Sequence, residues 1–383
     1  MNILMGSGVV KRREGGVAGV IYNLGHELER LGHQVTYIFQ EDLIKPGSIS
    51  PRFSELVFSW RLGRYIAENR QKFSVVNLHA PNGFPYGLRR RWRHSAGYPP
   101  YVMTLHGLEE RRVHAMSREA KKGRAWNFSL KNRLWHRFYH QPRFRWSIRT
   151  ADGAHTCARE VWSTLQVKYN LDADRVAYIP HGVESRFFVP REYRPSESLR
   201  LLYAGTWLDQ RGIFYIRTAL RNVTPQIPGL TMTFAGCGVP PEEIQSFFGA
   251  ELASRIAVRP AVAADQMQEL YAEHDVFLFP SLVEGLPLVL LEAMAAGMPV
   301  ITTETCGMAD VVEHGFNGWL IPPADSAAME EGILRLASSV ELRQKLGEAA
   351  RETMKRYTWE RAARQLEALY LHVLALEGRS PLR

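Results

Sequence analysis

Cysteine is scarce in this chain. Cys157, Cys237 and Cys306 are the only three, they lie far apart, and none forms a CxxC pair. That pattern excludes a disulfide framework and a cysteine-ligated zinc site, and it points to a reducing compartment. Long apolar runs are also missing. No stretch of about 20 uncharged apolar residues occurs, the length a helix needs to cross a bilayer. Residues 1–10 are mostly apolar, but the first cations, Lys11, Arg12 and Arg13, follow that run instead of preceding it. A secretory leader has the opposite order and a longer apolar core, so a cytoplasmic protein is expected. Neither an internal repeat nor a low-complexity tract is present, which excludes solenoid and linker-type architectures.

What the chain does have is ordinary globular composition, with 383 residues of which 45% are apolar and 23% charged. One hydrophobic core rarely serves so long a chain; two α/β domains of roughly 180 residues each fit it better. The formal net charge of +9 favours anionic partners such as nucleotide phosphates, nucleic acid or an acidic membrane face, without bearing on the fold.

The order of elements supports two domains. Residues 1–5 read as a short buried strand. A glycine-rich loop with Gly15 and Gly16 follows, then a helix with Val17, Val20, Ile21, Leu24, Leu28 and Leu31 on one face, then a strand over 35–39. This is a βαβ unit. Further strands are expected at 75–78, 101–105 and 176–179. Residues 190–198 are polar and hold two prolines, and are the linker candidate. A second series is expected at 199–203, 230–234, 256–258, 276–279 and 300–302, with helices between. The expected fold class is α/β: two Rossmann-like doubly wound domains facing across a cleft, over 1–190 and 191–357, with a last helix in 358–383 returning toward the first domain. In such sheets ligands bind at the carboxyl ends of the strands.

The stretch 279–297 carries the most chemistry. It leaves a buried strand through Pro280-Ser281, passes Glu284-Gly285-Leu286-Pro287, and enters a helix that stops at Gly297. The amides around Leu288 and Val289 then lie at a helix N-terminus, which suits phosphate. Glu284 lies in the loop. Glu292 sits about one turn into the helix among Val289, Leu290, Leu291, Met294 and Ala295, where a buried carboxylate needs partners. Each carboxylate can accept hydrogen bonds from a diol. The plain alternative is that Glu284 caps the helix and Glu292 is a solvated helix residue; the apolar surroundings of Glu292 count against it.

These residues resemble glycosyltransferase family 4, a family of retaining GT-B enzymes. Two glutamates seven residues apart in a strand–Pro-Ser–Glu-Gly–helix setting are similar to its signature. Other segments agree in order: Gly15-Gly16 with its helix, Thr104-Leu105-His106-Gly107, Ile179-Pro180-His181-Gly182-Val183-Glu184, Tyr203-Ala204-Gly205 through Arg211-Gly212, and 307–318. The resemblance implies catalytic roles for His106, Glu284 and Arg211. It implies donor contacts from Gly15, Gly16, Gly205, Thr206, Arg211, Glu284, Gly285, Leu286, Pro287, Leu288, Val289 and Glu292, with Glu292 on the ribose. The family usually has Asn where His181 stands and often a second cation where Thr206 stands. Arg211 replaces a common lysine, and its fork suits phosphate oxygens.

The activity so implied is retaining transfer of a sugar from a nucleotide diphosphate sugar to a glycan or lipid-linked acceptor, in surface polysaccharide, lipopolysaccharide or glycolipid synthesis. No cofactor and no metal are expected. Asp172-Ala173-Asp174 could mimic a metal motif, but Asp residues before a short strand usually make turns. A nucleotide-sugar 2-epimerase, a non-catalytic GT-B partner and a nucleic-acid-binding protein are the competing readings.

Residues 109–150 remain unabsorbed. They hold twelve Lys or Arg against three acidic residues, interleaved with Trp126, Phe128, Trp135, Phe138, Tyr139, Phe144 and Trp146. A solvated rim with aromatics turned inward competes with a surface for anionic lipid on the inner membrane face. Nucleic acid ranks third.

Overall fold

The computed structural model describes every residue except 12–14, 94–96, 127, 195–197 and 379–383. The chain divides into two compact units. The first comprises Met1–Val113, Leu130–Gly182 and Trp359–Arg383; the second comprises His114–Ser129 and Val183–Thr358. The main passage from one to the other is at Gly182–Val183, ahead of 190–198, and a short excursion, His114–Ser129, also belongs to the second unit.

The first unit is built on a six-stranded parallel sheet in the order β2-β1-β3-β4-β5-β6. Its strands are β1 (Asn2–Gly6), β2 (Gln34–Ile38), β3 (Val75–His79), β4 (Tyr101–Leu105), β5 (Gly153–Thr156) and β6 (Val176–Tyr178). Helices cover both faces, so the central strands are buried throughout and read as continuous apolar runs without alternation. The helix Gly16–Arg30 buries Val20, Ile21, Leu24 and Leu28, the stripe expected from their spacing. The last helix, Trp359–Leu376, belongs to this unit and buries Trp359, Ala362, Ala363, Leu366, Leu369 and Tyr370.

The second unit has a six-stranded parallel sheet in the order β12-β11-β10-β7-β8-β9. Its strands are β7 (Arg200–Ala204), β8 (Thr231–Ala235), β9 (Ile256–Arg259), β10 (Val276–Phe279), β11 (Val300–Thr303) and β12 (Trp319–Ile321). Strand order reverses between β1 and β3 in the first sheet and between β7 and β10 in the second. The crevice at such a reversal is where this architecture binds ligands. Gly205 and residues 280–284 leave the second reversal; His79 leaves the first.

Two strands escaped sequence reading. β5 is four residues, Gly-Ala-His-Thr, and β12 is three, Trp-Leu-Ile. Both are too short to show a period, and β5 opens on Gly-Ala with Thr156 as its one β-branched residue, a weak strand signal. The sheet supplies their pairing partners.

Candidate functional site

In the second unit the loop after β10 is tied down from several sides. The Leu282 amide donates to the Gln210 carbonyl at 2.8 Å, Ser281 Oγ donates to the Val283 carbonyl at 3.1 Å, and Thr303 Oγ1 donates to the Ser281 carbonyl at 2.5 Å. Gly212 makes this approach feasible. Its φ is +75°, and a Cβ there would stand 2.1 Å from the Pro280 carbonyl oxygen. The turn before it, Asp209–Arg211, thereby presents Arg211 to the loop, where Arg211 and Glu284 form an ion pair. Burial lowers the Arg211 pKa from its ordinary value, with the Tyr203 phenol opposing that shift. Its guanidinium carbon lies 5.4 Å from the Phe279 ring centroid, and its Nε has no hydrogen-bond partner. A half-buried arginine with unused donor capacity beside a loop is ready to take an anion with several oxygens.

The helix Leu288–Ala295 starts immediately after that loop, capped by the extended Pro287. The Leu290 amide donates to the Pro287 carbonyl at 3.2 Å, so it is the Leu288 and Val289 amides that open the helix without an intrahelical acceptor, and the dipole favours negative charge at that end. Leu290, Leu291, Ala293, Met294 and Ala295 are buried, whereas Leu288, Val289 and Glu292 are only partly covered, so one narrow stripe of the helix stays open. Glu292 lies on it. Tyr271 donates from its hydroxyl to Glu292 Oε2 at 2.8 Å. Burial raises the Glu292 pKa to about 7; the Tyr271 hydrogen bond opposes that rise, Glu184 adds to it, and Arg186 works against it. Gly205 follows β7 with φ +142°, and the Thr206 carbonyl accepts from the Tyr203 hydroxyl at 3.1 Å while the Thr206 side chain is exposed.

The structure thus gathers Gly205, Thr206, Arg211, Glu284, 285–289 and Glu292 in the second unit, around the β7/β10 reversal. Gly15 and Gly16 begin the Gly16–Arg30 helix with φ of +73° and +57°, and they belong to the first unit, as does His106. Sequence reading missed Tyr271, Glu184 and Arg186. Tyr271 lies in a helix remote in sequence, and no spacing rule connects it with Glu292.

In the first unit, a polar cluster lies at the carboxyl ends of β3, β4 and β5. His79, Thr104 and His155 are in lateral register. Thr104 Oγ1 lies 2.7 Å from Asn77 Oδ1 and 2.6 Å from His155 Nε2, and Asn77 Nδ2 donates to the Tyr370 hydroxyl at 2.8 Å. His106, just past β4, has Nε2 2.7 Å from His79 Nδ1, and its ring centroid lies 5.8 Å from that of His181, which in turn stacks on Trp359. Burial lowers the pKa of all four imidazoles, to about 4 for His106 and about 3 for His155. They are neutral at pH 7. Asp172 pairs with Arg175 and Asp174 with His372 around the short turn before β6. Among the described residues there is no group of three or more His, Cys, Asp or Glu that could hold a metal.

The basic segment divides. Trp126 packs on Trp207, Phe214 and Phe247 within the second unit. Phe128 and Phe144 are buried. Arg143, one of the cations counted toward a lipid-facing or solvated surface over 109–150, is instead buried; it donates to Glu55 and Ser59 and belongs to the core of the first unit. Leu130, Leu134, Phe138 and Trp146 remain exposed, as do Lys131, Arg133 and Arg137. Together with Arg52, Trp135 and Tyr139 some of these line an open apolar groove of about 670 Å³. His136 holds this region to Glu109, 2.7 Å away.

Two family models match the chain in tandem: one described as Glycosyltransferase Family 4 over residues 14–187, and one described as Glycosyl transferases group 1 over residues 186–353. An uncharacterized glycosyltransferase of Methanocaldococcus jannaschii is 23% identical over 83% of this chain and 80% of its own. An amylovoran biosynthesis glycosyltransferase of Erwinia amylovora is 25% identical over 46% of each chain. Among solved structures, sucrose-phosphate synthase from Thermosynechococcus elongatus superposes with a TM-score of 0.79 at 20% identity, covering 98% of this chain and 99% of that one. Anabaena HepE in complex with UDP-glucose gives 0.66 at 14% identity, covering 99% and 100%. At these identities the likeness concerns the GT-B fold.

Proposed function

The chain belongs to the family 4 glycosyltransferases of GT-B fold, and from that premise we propose that it transfers a hexosyl group, with retention and without a metal, from a nucleoside diphosphate sugar to a glycan or lipid-linked acceptor. One observation carries this reading. At the β7/β10 reversal, Arg211, the start of the Leu288–Ala295 helix, Glu284 and Glu292 are held together by a rigid loop. That set matches a sugar diphosphate group by group. The helix amides and Arg211 take the diphosphate and stabilise the charge that gathers on it as the sugar leaves. Glu284, freed from Arg211, takes sugar hydroxyls, and Glu292 takes the ribose diol. The UDP-glucose bound by HepE supports a uridine donor. The relative named for amylovoran synthesis supports a surface polysaccharide product. Two positive groups, the helix terminus and Arg211, offset the phosphate charge, which is why no metal is required.

The test is a thermal-shift screen of nucleotide sugars with and without chelator, followed by transfer assays. A UDP-sugar should raise the melting temperature by mass action, and chelator should leave both binding and turnover intact. Arg211→Ala and Glu292→Ala should each lower kcat/KM by about 30-fold or more, since removing a charged partner of substrate typically costs about 2–4 kcal/mol. Wild-type turnover in both folded variants contradicts the site. Nucleotide release that does not depend on an acceptor favours the epimerase reading.

The reading extends to peripheral association with an anionic membrane face. No helix among the described residues is long and apolar enough to cross a membrane. What supports surface binding is the groove with exposed Leu130, Leu134 and Phe138 beside Lys131, Arg133 and Arg137. Apolar side chains enter the interface while cations meet lipid phosphates. Co-sedimentation with anionic vesicles should fall with salt and weaken when Arg133, Arg137 and Phe138 become Ser. Arg143 is excluded from the test because its loss would damage the core. Absence of binding at low salt removes the membrane from this reading and leaves a soluble acceptor.

A further inference from the structure

His79 ends β3 and His106 follows β4. Residue 79 pairs in register with Thr104, two positions before His106, which brings the two imidazoles to the same end of the sheet. His79 Nδ1 and His106 Nε2 are 2.7 Å apart, with ring centroids at 4.9 Å and planes inclined by 31°. Two neutral imidazoles at that distance share one hydrogen between them. His79 is 1% exposed and its other nitrogen, Nε2, has no partner, whereas His106 is only partly covered.

Only two arrangements are open. If His106 Nε2–H donates, His79 must carry its own proton on Nε2, leaving a buried N–H with no acceptor. If His79 Nδ1–H donates, His79 Nε2 is a bare lone pair. Orphaned buried N–H groups are the rarer defect, while unfilled acceptors are better tolerated. We infer that His79 is a positioning residue: it donates from Nδ1 to His106 Nε2 and holds His106 in the tautomer that carries its proton on Nδ1. His106 then works as a hydrogen-bond donor to substrate oxygen and not as a base. This consequence rests on the reading above, in which His106 touches the transferred sugar.

The neighbouring groups leave the pair undisturbed. The imidazoles that bear electrostatically on His79 are His106, His155 and His181. Thr104 has a single hydroxyl proton. It donates to Asn77 Oδ1, since the Asn77 amide nitrogen already donates to Tyr370, and so Thr104 accepts from His155 Nε2–H. His155 is thus committed to Thr104. His181 meets His106 only through ring contact and stacks on Trp359.

The test is long-range nitrogen–proton NMR on the full chain labelled at histidine, with His106 assigned by loss of its signals in His106→Gln. The wild type should show His106 protonated at Nδ1, and His79→Phe should shift it toward Nε2 or a mixture. In transfer assays His79→Phe should lower kcat by about 10-fold or more, the usual cost of losing the partner that orients an imidazole, with donor KM nearly unchanged. His79→Asn, whose amide can occupy the Nδ1 position, should restore most of the rate, and His79→Gln should not. Protonation of wild-type His106 at Nε2 overturns the assignment, as does an unchanged tautomer in His79→Phe. A wild-type rate in His106→Ala overturns instead the reading of His106 as a substrate contact, and the spectra still decide the hydrogen bond.

Discussion

Glu292 shows how much of one residue's chemistry depends on what lies far from it in sequence. Its neighbours along the helix predict burial, but its titration is set by Tyr271, Glu184 and Arg186. With the pKa raised to about 7, the free carboxyl is half protonated at neutral pH and accepts fewer hydrogen bonds than the carboxylate. If the ionised form holds the ribose diol, donor affinity should rise as pH increases through 7 and level off above it. Calorimetric titration of a UDP-sugar between pH 6 and 8 checks this, with Glu292→Gln expected to be weak and flat across the range. Tyr271→Phe removes the hydrogen bond that opposes the shift, so the inflection should move to higher pH. The stability sign is opposite. A carboxyl with a raised folded pKa binds extra protons when folded, so its contribution is present near pH 4.5 and is lost as pH rises through about 7.

Among elements, the turn Asp209–Arg211 and the loop after β10 act as one piece because Gly212 lets two backbones touch. Gly212→Ala has two costs. A side chain at φ +75° is strained by about 1–2 kcal/mol, and a Cβ 2.1 Å from a carbonyl oxygen forces backbone displacement worth about 1–3 kcal/mol. Denaturant unfolding of that variant should show a loss of about 2–5 kcal/mol in the second unit, with donor binding impaired even where the fold persists. Gly8 or Gly123 would not serve as well, since neither combines a positive φ with so close a carbonyl. Helices and long buried strands could be read from periodicity and apolar runs. β5 and β12 could not, because three or four residues hold no period and their pairing comes from neighbouring strands. The basic segment was legible in composition only. Which aromatics turn inward was decided by tertiary packing: Phe128 and Phe144 are buried, Trp126 leans on Trp207, Phe214 and Phe247 yet stays partly open to solvent, and Phe138 is exposed.

At the scale of the whole molecule, the two units respond differently to acid. His79, His106, His140, His155 and His181 of the first unit all have pKa values lowered mainly by burial. Each is held neutral when folded and protonates near 6.5 when unfolded, so the unfolded chain binds more protons below that pH. Stability is therefore intact above pH 6.5 and is lost as pH falls from there through about 4. The second unit carries one comparable imidazole, His274, set against Glu292 with its opposite sign. Acidification from pH 7 to 4.5 should therefore open the first unit before the second. Hydrogen exchange followed by peptide mapping tests this: protection should fall first in β3, β4 and β5 while β7 and β10 stay protected. Simultaneous loss in both units would mean that the histidine cluster does not set acid stability.

The sequence by itself determined the class of the protein. Apolar runs, a glycine loop and the Glu284–Glu292 segment are local patterns, and local patterns suffice to specify strands, helices and a helix terminus that takes phosphate. They also carried the family. What only the tertiary structure decided is which groups meet: Tyr271 on Glu292, His79 on His106, Arg143 in the core, and the excursion His114–Ser129 with the second unit. The reason is physical. Hydrogen bonds and desolvation act over a few ångströms in space, and their partners here are up to tens of residues apart along the chain, where no periodicity links one to the other.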